Sequence, residues 1–199
     1  MNDPFGRPVD YLRVSVTDRC NLRCWYCAPT RNWNLLRHEE LLSFDEITQV
    51  VRAAATLEFR KIRITGGEPL LRPGLPDLVQ RIAAIPGIAD LGLTTNGILL
   101  AEMARPLREA GLHRVNVSLD AVDPARFAAI TGGGDLAPVL AGIEAALDAD
   151  LRPVKLNCVV ERDPDEPERG FHGPSPLKRA RGHCRIFIVP TLVDAIPRA

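Results

Sequence analysis

Five short β-like runs, separated by helical patterns, constrain the fold of this chain more than any other feature. The helical patterns lie at 43–59, where Ser43 and Glu46 have the spacing of a capping box, and near 75–85, 99–110 and 136–148. Strands that alternate with helices are typical of βα units in a parallel sheet or barrel. The strand-like runs are YLRVSVT (11–17), KIRIT (61–65), LGLTT (91–95), RVNVSLD (114–120) and VKLNCVV (154–160).

Each of these runs alternates apolar and polar residues. Strands buried on both faces would instead be continuously apolar. Because side chains alternate between the two faces of a strand, the polar residues fall on one face of the sheet. We expect helices to cover the apolar face, and the polar face to line a wide or incomplete barrel that holds a sizeable polar ligand. An antiparallel sheet with one solvated face is the alternative.

The chain changes character near residue 160, which predicts a core domain at 1–160 and an atypical tail at 161–199. The tail carries six of the 17 prolines and, from 161 to 182, no apolar periodicity. It is predicted to be loop or disorder, with a candidate last strand RIFIV at 185–189.

Charge and composition narrow the functional class. Lys and Arg total 25 and Asp and Glu total 25, so the balance favours neither a nucleic-acid partner nor an acidic membrane surface. The N-terminus has no apolar signal region, and no apolar run approaches 18 residues, so we expect no membrane span. Five cysteines, clustered rather than spread, predict a reducing cytoplasmic compartment.

The stretch CNLRCWYC places Cys20, Cys24 and Cys27 at C-x3-C-x2-C spacing. Structural zinc sites usually bring two pairs of ligands, and no second CxxC or His-x3–5-His pair follows. Three thiolates suit a [4Fe–4S] cluster whose fourth iron stays open to a ligand, and the spacing favours this reading. A zinc site and inert or redox-active thiols remain open as alternatives.

Several motifs in order resemble the radical S-adenosylmethionine (SAM) superfamily. They are RVSVTDRCNLRCWYC (13–27), ITGGEP (64–69), LTTNG (93–97) and VSLDA (117–121). The resemblance implies a partial (β/α)6 TIM-like barrel, here incomplete at its C-terminus, and a [4Fe–4S] cluster whose open iron binds SAM. Cys20, Cys24 and Cys27 are then the cluster ligands. Tyr26, Gly67 and Ser118 match positions that contact SAM.

Within that superfamily, residues from about 5 to 160 are similar to the GTP 3′,8-cyclase family of molybdenum cofactor biosynthesis. That similarity implies GTP as substrate, an electron donor such as flavodoxin, and a downstream cyclic pyranopterin monophosphate synthase as pathway partner. The positions that match GTP-contacting residues all lie on the polar strand face, where cations suit a triphosphate: Arg13, Arg63, Thr94 and Lys155.

The chain departs from the family's pattern after residue 160. Val189 stands where the family has a SAM-contacting methionine, and the family's second three-cysteine cluster is not expected here. We therefore expect a chain that assembles the first cluster and binds SAM but cyclises GTP poorly, as a truncated or frameshifted gene would produce. Another radical SAM enzyme with a different substrate and a non-catalytic metal-binding remnant are the alternatives.

Overall fold

A computed structural model describes residues 2–27, 35–159 and 185–189 of the chain. Strands and helices alternate along it, as the sequence predicts. The strands are β1 (Tyr11–Ser15), β2 (Lys61–Thr65), β3 (Asp90–Thr95), β4 (Arg114–Ser118), β5 (Lys155–Val159) and β6 (Arg185–Val189). The helices are α1 (Phe44–Thr56), α2 (Leu75–Ala83), α3 (Leu100–Glu109), α4 (Pro124–Thr131) and α5 (Leu136–Asp148), with two 3-10 turns at His38–Glu40 and Pro69–Leu71.

The strands form one six-stranded sheet in the order β1-β2-β3-β4-β5-β6, and every neighbouring pair is parallel. This order confirms the predicted α/β class and rules out the antiparallel alternative. Because all six strands are parallel, their C-terminal ends share one edge of the sheet, and the described residues that follow β1, β2, β3 and β4 lie at that edge.

The apolar face of the sheet packs on the helices. Ile62, Ile64, Leu91 and Leu93 are fully buried there, together with apolar residues of the amphipathic helices such as Leu78. At about 25 cal/mol per Å² of apolar surface, each such side chain contributes about 2 kcal/mol to folding. The apolar face of the sheet, which the sequence pattern predicts to pack on the helices, therefore provides the core that stabilises the strands.

Helix α4 is an element that the sequence patterns did not predict. Asp123 caps its first turn by accepting the N–H of Arg126 at 2.8 Å, Pro124 occupies the first helical position, and Gly132 ends the helix in the left-handed region at φ +71°. These are ordinary start and stop signals. They were missed because eight residues give too short an apolar period to recognise.

The polar face brings residues of different strands into register. Arg13 lies beside Arg63, Arg63 beside Gly92, and Gly92 beside Arg114. Two residues further along each strand, Thr94 lies beside Asn116, and Asn116 beside Lys155, at the level of Ser15 and Thr65. The polar face is thus a stack of rows that rise towards the C-terminal edge of the sheet.

Residues 185–189, where the sequence predicts a last strand, form β6 beside β5. The rest of the predicted tail, 161–184 and 190–199, lies outside the described residues. None of the helices within the described residues is long and apolar enough to cross a membrane.

Candidate functional site

The three clustered cysteines lie in the loop that follows β1, at the C-terminal edge of the sheet. Their side chains line a cavity of about 310 Å³, and Gly66 and Gly67 form part of the same wall. That volume lies at the lower end of the range for small-molecule sites. The structure therefore brings the three predicted metal ligands and Gly67 to one cavity.

The cysteines of this loop are free thiols that differ in environment. Cys20 and Cys24 are partly buried, and Cys27 is exposed. Burial raises the pKa of the Cys24 thiol to about 11, although the neighbouring Tyr26 hydroxyl acts in the opposite direction. Burial also raises the pKa of Cys27, and the charge of Cys20 adds to this effect. Thiols in this state must release protons when they bind a metal.

The donor set fits an iron–sulfur cluster. Three thiols line one cavity and leave a fourth coordination position to another ligand, and thiolates are the usual ligands of [4Fe–4S] clusters. Within residues 2–27 and 35–159, no group of three His, Cys, Asp or Glu side chains is arranged to hold a single metal ion.

Gly66 and Gly67 let two stretches of backbone touch. Gly67 donates its N–H to the carbonyl of Thr17, and Glu68 donates its N–H to that of Arg19, both at 2.7 Å. A Cβ on Gly67 would lie 2.3 Å from the Arg19 carbonyl oxygen, too close for any side chain. Since the N–H of Gly67 is engaged, only its carbonyl can serve a ligand. The resemblance predicts that Gly67 contacts SAM. The structure adds that the missing side chain of Gly67 also leaves room for the backbone at the start of the cysteine loop.

Glu68 is a buried carboxylate at the end of the GGEP turn, only 1% exposed. It accepts hydrogen bonds from the N–H of Leu70 at 3.0 Å, the hydroxyl of Thr95 at 2.7 Å and the N–H of Asn96 at 2.6 Å. Burial raises its pKa, against the effect of these three donors. Glu68 thereby joins the loop after β2 to the loop after β3.

Asn96 carries this connection on to the cysteine loop. Its Nδ2 donates to Oδ1 of Asn21 at 2.7 Å and lies 3.9 Å from Sγ of Cys20. Its own Oδ1 accepts the N–H of Ile98, which fixes the side chain at the start of α3. The first half of the cysteine loop is thus anchored to the TTNG turn.

Asp120 anchors the second half of the loop. The Tyr26 hydroxyl donates to Oδ2 of Asp120 at 2.5 Å, and the N–H of Val159 donates to Oδ1 at 2.9 Å. Asp120 is 8% exposed. Burial and this hydrogen bond raise the pKa of Tyr26, so the phenol stays protonated. Tyr26, predicted to contact SAM, therefore also holds the loop against β4 and β5.

The C-terminal end of α4 contacts the cysteine loop through backbone hydrogen bonds. The N–H groups of Arg23 and Trp25 donate to the carbonyls of Thr131 and Ile130, at 2.9 and 3.1 Å. A Cβ on Gly132 would come within 2.7 Å of the Arg23 carbonyl oxygen, so glycine is required here both for space and for its positive φ.

The residues predicted to contact GTP share the polar face but differ in burial. Arg63 is 5% exposed and its Nη1 lies 3.4 Å from the Thr94 hydroxyl. Arg13 is exposed and is the register partner of Arg63, while Lys155 is partly buried on β5. Ser118 and Tyr26 do not belong to the wall of the cysteine cavity. The structure thus places Arg63 beside Thr94. It places Gly67 in the same cavity wall as the cysteines.

Sequence reasoning missed four polar side chains that the structure shows to be central: Glu68, Asn96, Arg114 and Asp120. All four lie within or beside motifs already recognised, at the two ends of strands. Their type gave a signal, because a charged or amide side chain within an otherwise buried motif requires partners. The identity of those partners depends on the fold and could not be read from spacing.

The fold and the cysteine loop define a class: α/β proteins with a partial barrel of parallel strands and a three-cysteine site at the strands' C-terminal edge. A family model described as the Radical SAM superfamily matches residues 14–168. This chain belongs to the radical SAM superfamily.

Curated relatives support this assignment, and a solved structure has a similar fold. The chain is 56% identical over 168 residues to the GTP 3′,8-cyclase of Pelotomaculum thermopropionicum, covering 84% of this chain and 52% of that protein. It is 48% identical over 193 residues to that of Acidothermus cellulolyticus, covering 94% and 53%. Methylornithine synthase has a similar structure, with a TM-score of 0.63, 16% identity, and coverage of 77% of this chain and 46% of that one. The chain spans about half the length of the curated relatives it matches.

Proposed function

We propose that this chain holds a [4Fe–4S] cluster through Cys20, Cys24 and Cys27, binds SAM at the open iron, and acts on GTP as a GTP 3′,8-cyclase. The observation that carries the proposal is that three free thiols line one cavity with the GGEP turn, above a polar sheet face that bears several cations. The solved structure of native anSMEcpe with bound AdoMet has a similar fold, with a TM-score of 0.62 at 20% identity over 77% of this chain and 45% of that one.

When bound and reduced, the cluster and SAM supply the radical that takes hydrogen from substrate. The chain's own residues bind, orient and exclude water. The carbonyl of Gly67 is available to an ammonium group, since its N–H is already used. Tyr26 and Ser118 are proposed to contact SAM. Buried anchors at both ends of the loop keep the three thiols facing the cavity, which maintains the geometry that such chemistry requires.

The substrate half of the proposal rests on the polar face. Arg63 and Thr94 lie in contact, Arg13 is the partner of Arg63 in register, and Lys155 lies two strands from Thr94 across Asn116. These residues are proposed to bind the phosphates and sugar of GTP. Three cations in neighbouring rows suit a triphosphate because guanidinium and ammonium groups pair well with phosphate oxygens.

The cellular setting follows from the same proposal. A reducing, cytoplasmic compartment suits free thiols that bind an oxygen-sensitive cluster. An electron donor such as flavodoxin and a downstream cyclic pyranopterin monophosphate synthase are the proposed partners, by similarity to the GTP 3′,8-cyclases.

The test is anaerobic reconstitution of the whole chain, followed by measurement of iron per chain and of products formed from SAM and GTP. We expect about four irons per chain, reductive cleavage of SAM, and only a low yield of cyclised GTP product, because the family's second cysteine cluster is not expected in this chain. Cys24→Ala should lose the iron, whereas Cys158→Ala, a buried cysteine outside the cavity, should keep it.

Three outcomes would contradict parts of the proposal. Tightly held zinc without SAM cleavage would identify a non-catalytic metal-binding protein. SAM cleavage without conversion of GTP would identify a radical SAM enzyme with a different substrate. Equal iron loss in Cys24→Ala and Cys158→Ala would show that the loss reflects unfolding rather than ligation.

A further inference from the structure

Two arginines share the space above one glycine on the polar face of the sheet. Arg63 of β2 and Arg114 of β4 flank Gly92 of β3 in register. A Cβ on Gly92 would lie 3.2 Å from Nε of Arg63 and 3.4 Å from Nη1 of Arg114. The missing side chain at Gly92 therefore makes room for two guanidinium groups side by side.

Arg114 is held in a fixed orientation by Asp90. Its Nε donates to Oδ1 of Asp90 at 2.7 Å, and its Nη2 donates to Oδ2, which makes the pair bidentate. This arrangement uses one edge of the guanidinium and leaves Nη1 on the other edge. Nη1 of Arg114 is buried and has no hydrogen-bond partner among the described residues. A donor so fixed is oriented for something other than Asp90.

Arg63 is the second half of the pair. It is 95% buried by neighbours that include the Tyr11 ring, whose centroid lies 6.0 Å from Cζ. Its Nε is also buried without a hydrogen-bond partner in the described part of the chain. Among residues 2–27 and 35–159, Asp90 forms a salt bridge with Arg114, and no carboxylate forms a salt bridge with Arg63. Two adjacent cations, Arg63 buried and Arg114 partly buried, that share one counter-charge repel each other unless an anion joins them.

We propose that Arg114, oriented by Asp90, forms with Arg63 a two-arginine site above Gly92 that binds the phosphate groups of a nucleoside triphosphate. This inference rests on the proposed function and adds three residues to it, Asp90, Gly92 and Arg114. Arginine suits the role because its planar donors match the oxygens of phosphate, and because it stays charged when buried. The bound anion supplies the missing counter-charge.

The next row of the polar face sets the direction of the ligand. Asn116 lies two residues above Arg114, and its Oδ1 is a buried acceptor without a partner among the described residues. An acceptor there suits a hydroxyl of the sugar rather than a phosphate oxygen. The ligand therefore lies with its phosphates deep in the row of Arg63 and its sugar nearer the cysteine loop.

The experiment measures binding of inorganic tripolyphosphate and of GTP to the whole chain by isothermal titration calorimetry. Arg114→Met removes the guanidinium at similar size, and Arg108→Met, on the outer surface of α3, is the matched control. We expect Arg114→Met to weaken tripolyphosphate binding about 10- to 100-fold, as loss of a charged hydrogen bond predicts. Arg108→Met should bind as the wild type does. Arg114→Lys keeps the charge beside Asp90 but loses the fork, so it should fall between them.

Each outcome decides a separate point. If the wild-type chain does not bind tripolyphosphate, or if Arg114→Met binds it as well as the wild type does, the inference is wrong. If tripolyphosphate binds through Arg114 but GTP yields no cyclised product, the two-arginine site stands and the proposed activity fails. Thermal melting of each variant separates weaker binding from unfolding, and Arg114→Lys keeps the test decisive if Arg114→Met does not fold.

Discussion

Glu68 and Asp120 offer a sharp test of how the cysteine loop is held, because the same chemical change should cost much more stability at Glu68 than at Asp120. Both are buried carboxylates that accept hydrogen bonds from groups in or beside the loops around the cavity. Replacing each acid by its amide keeps the size and removes the charge. The result then depends on whether the partner can reverse its role as donor.

At Glu68 the partners cannot reverse. Leu70 and Asn96 each present a backbone N–H, which only donates, one to each carboxylate oxygen. Glu68→Gln therefore places an amide NH2 against an N–H. Losing a hydrogen bond to a charged group costs about 1.5–3 kcal/mol, and an unsatisfied buried donor costs about 1–3 kcal/mol more. We expect a total near 4 kcal/mol, or about 8–16 °C in Tm for a chain of this size.

At Asp120 one partner can reverse. Asp120→Asn keeps an oxygen for the N–H of Val159, and the Tyr26 hydroxyl can turn to accept from the new NH2 group. The expected loss is below about 1.5 kcal/mol. Asp120→Ala removes both bonds and should cost at least twice as much, so rescue by Asn distinguishes hydrogen bonding from packing.

Urea unfolding of the apoprotein, followed by circular dichroism, measures these differences. The midpoints should fall in the order wild type, Asp120→Asn, Glu68→Gln. If Glu68→Gln unfolds within about 1 kcal/mol of the wild type, then Glu68 does not hold the loops as described. If Asp120→Asn is as unstable as Asp120→Ala, the role reversal of Tyr26 is refuted.

Three further predictions concern single residues. Gly67→Ala should destabilise the fold by about 3 kcal/mol in thermal melts, because its Cβ would meet the Arg19 backbone; an unchanged Tm would refute the close approach. Burial raises the pKa of Asp90, but the bonds and charge of Arg114 outweigh it and hold that pKa below 3.8. Asp90 therefore adds stability above pH 3.8, and this stability is lost as the pH falls through the lowered pKa of Asp90. In Asp90→Asn, the free energy of unfolding should depend less on pH in this acidic range. Gly132→Val should increase the hydrogen exchange rates of the Arg23 and Trp25 amides by at least tenfold. Unchanged rates would show that the end of α4 does not protect these amides of the cysteine loop.

Much of the fold could be predicted from local pattern. Alternation in Ile62, Arg63 and Ile64 assigns one face to the core and one to polar contacts, because the side-chain period of a strand is fixed. The parallel sense of the strands follows from the intervening helices, whereas their order is known only from the structure. Helix α4 escaped because its signals are caps rather than periodicity.

The candidate ligands of the site could be named from the sequence, but the residues that support the cysteine loop could not. The spacing of Cys20, Cys24 and Cys27 already limits the chemistry of the loop. That Glu68 reaches Asn96, or that Asp120 reaches Tyr26, depends on which strands become neighbours. Arg114 is similar, since only the register of β3 and β4 shows that Gly92 brings it beside Arg63.

The proposed function depends on three cysteines that hold a cluster with one iron open to SAM. Electron paramagnetic resonance of the anaerobically reconstituted and reduced chain, with and without SAM, tests it directly. We expect a [4Fe–4S] signal that changes when SAM is added and that disappears in Cys24→Ala. A chain that takes up one zinc per molecule and gives no such signal, or a signal that SAM leaves unchanged, would contradict it.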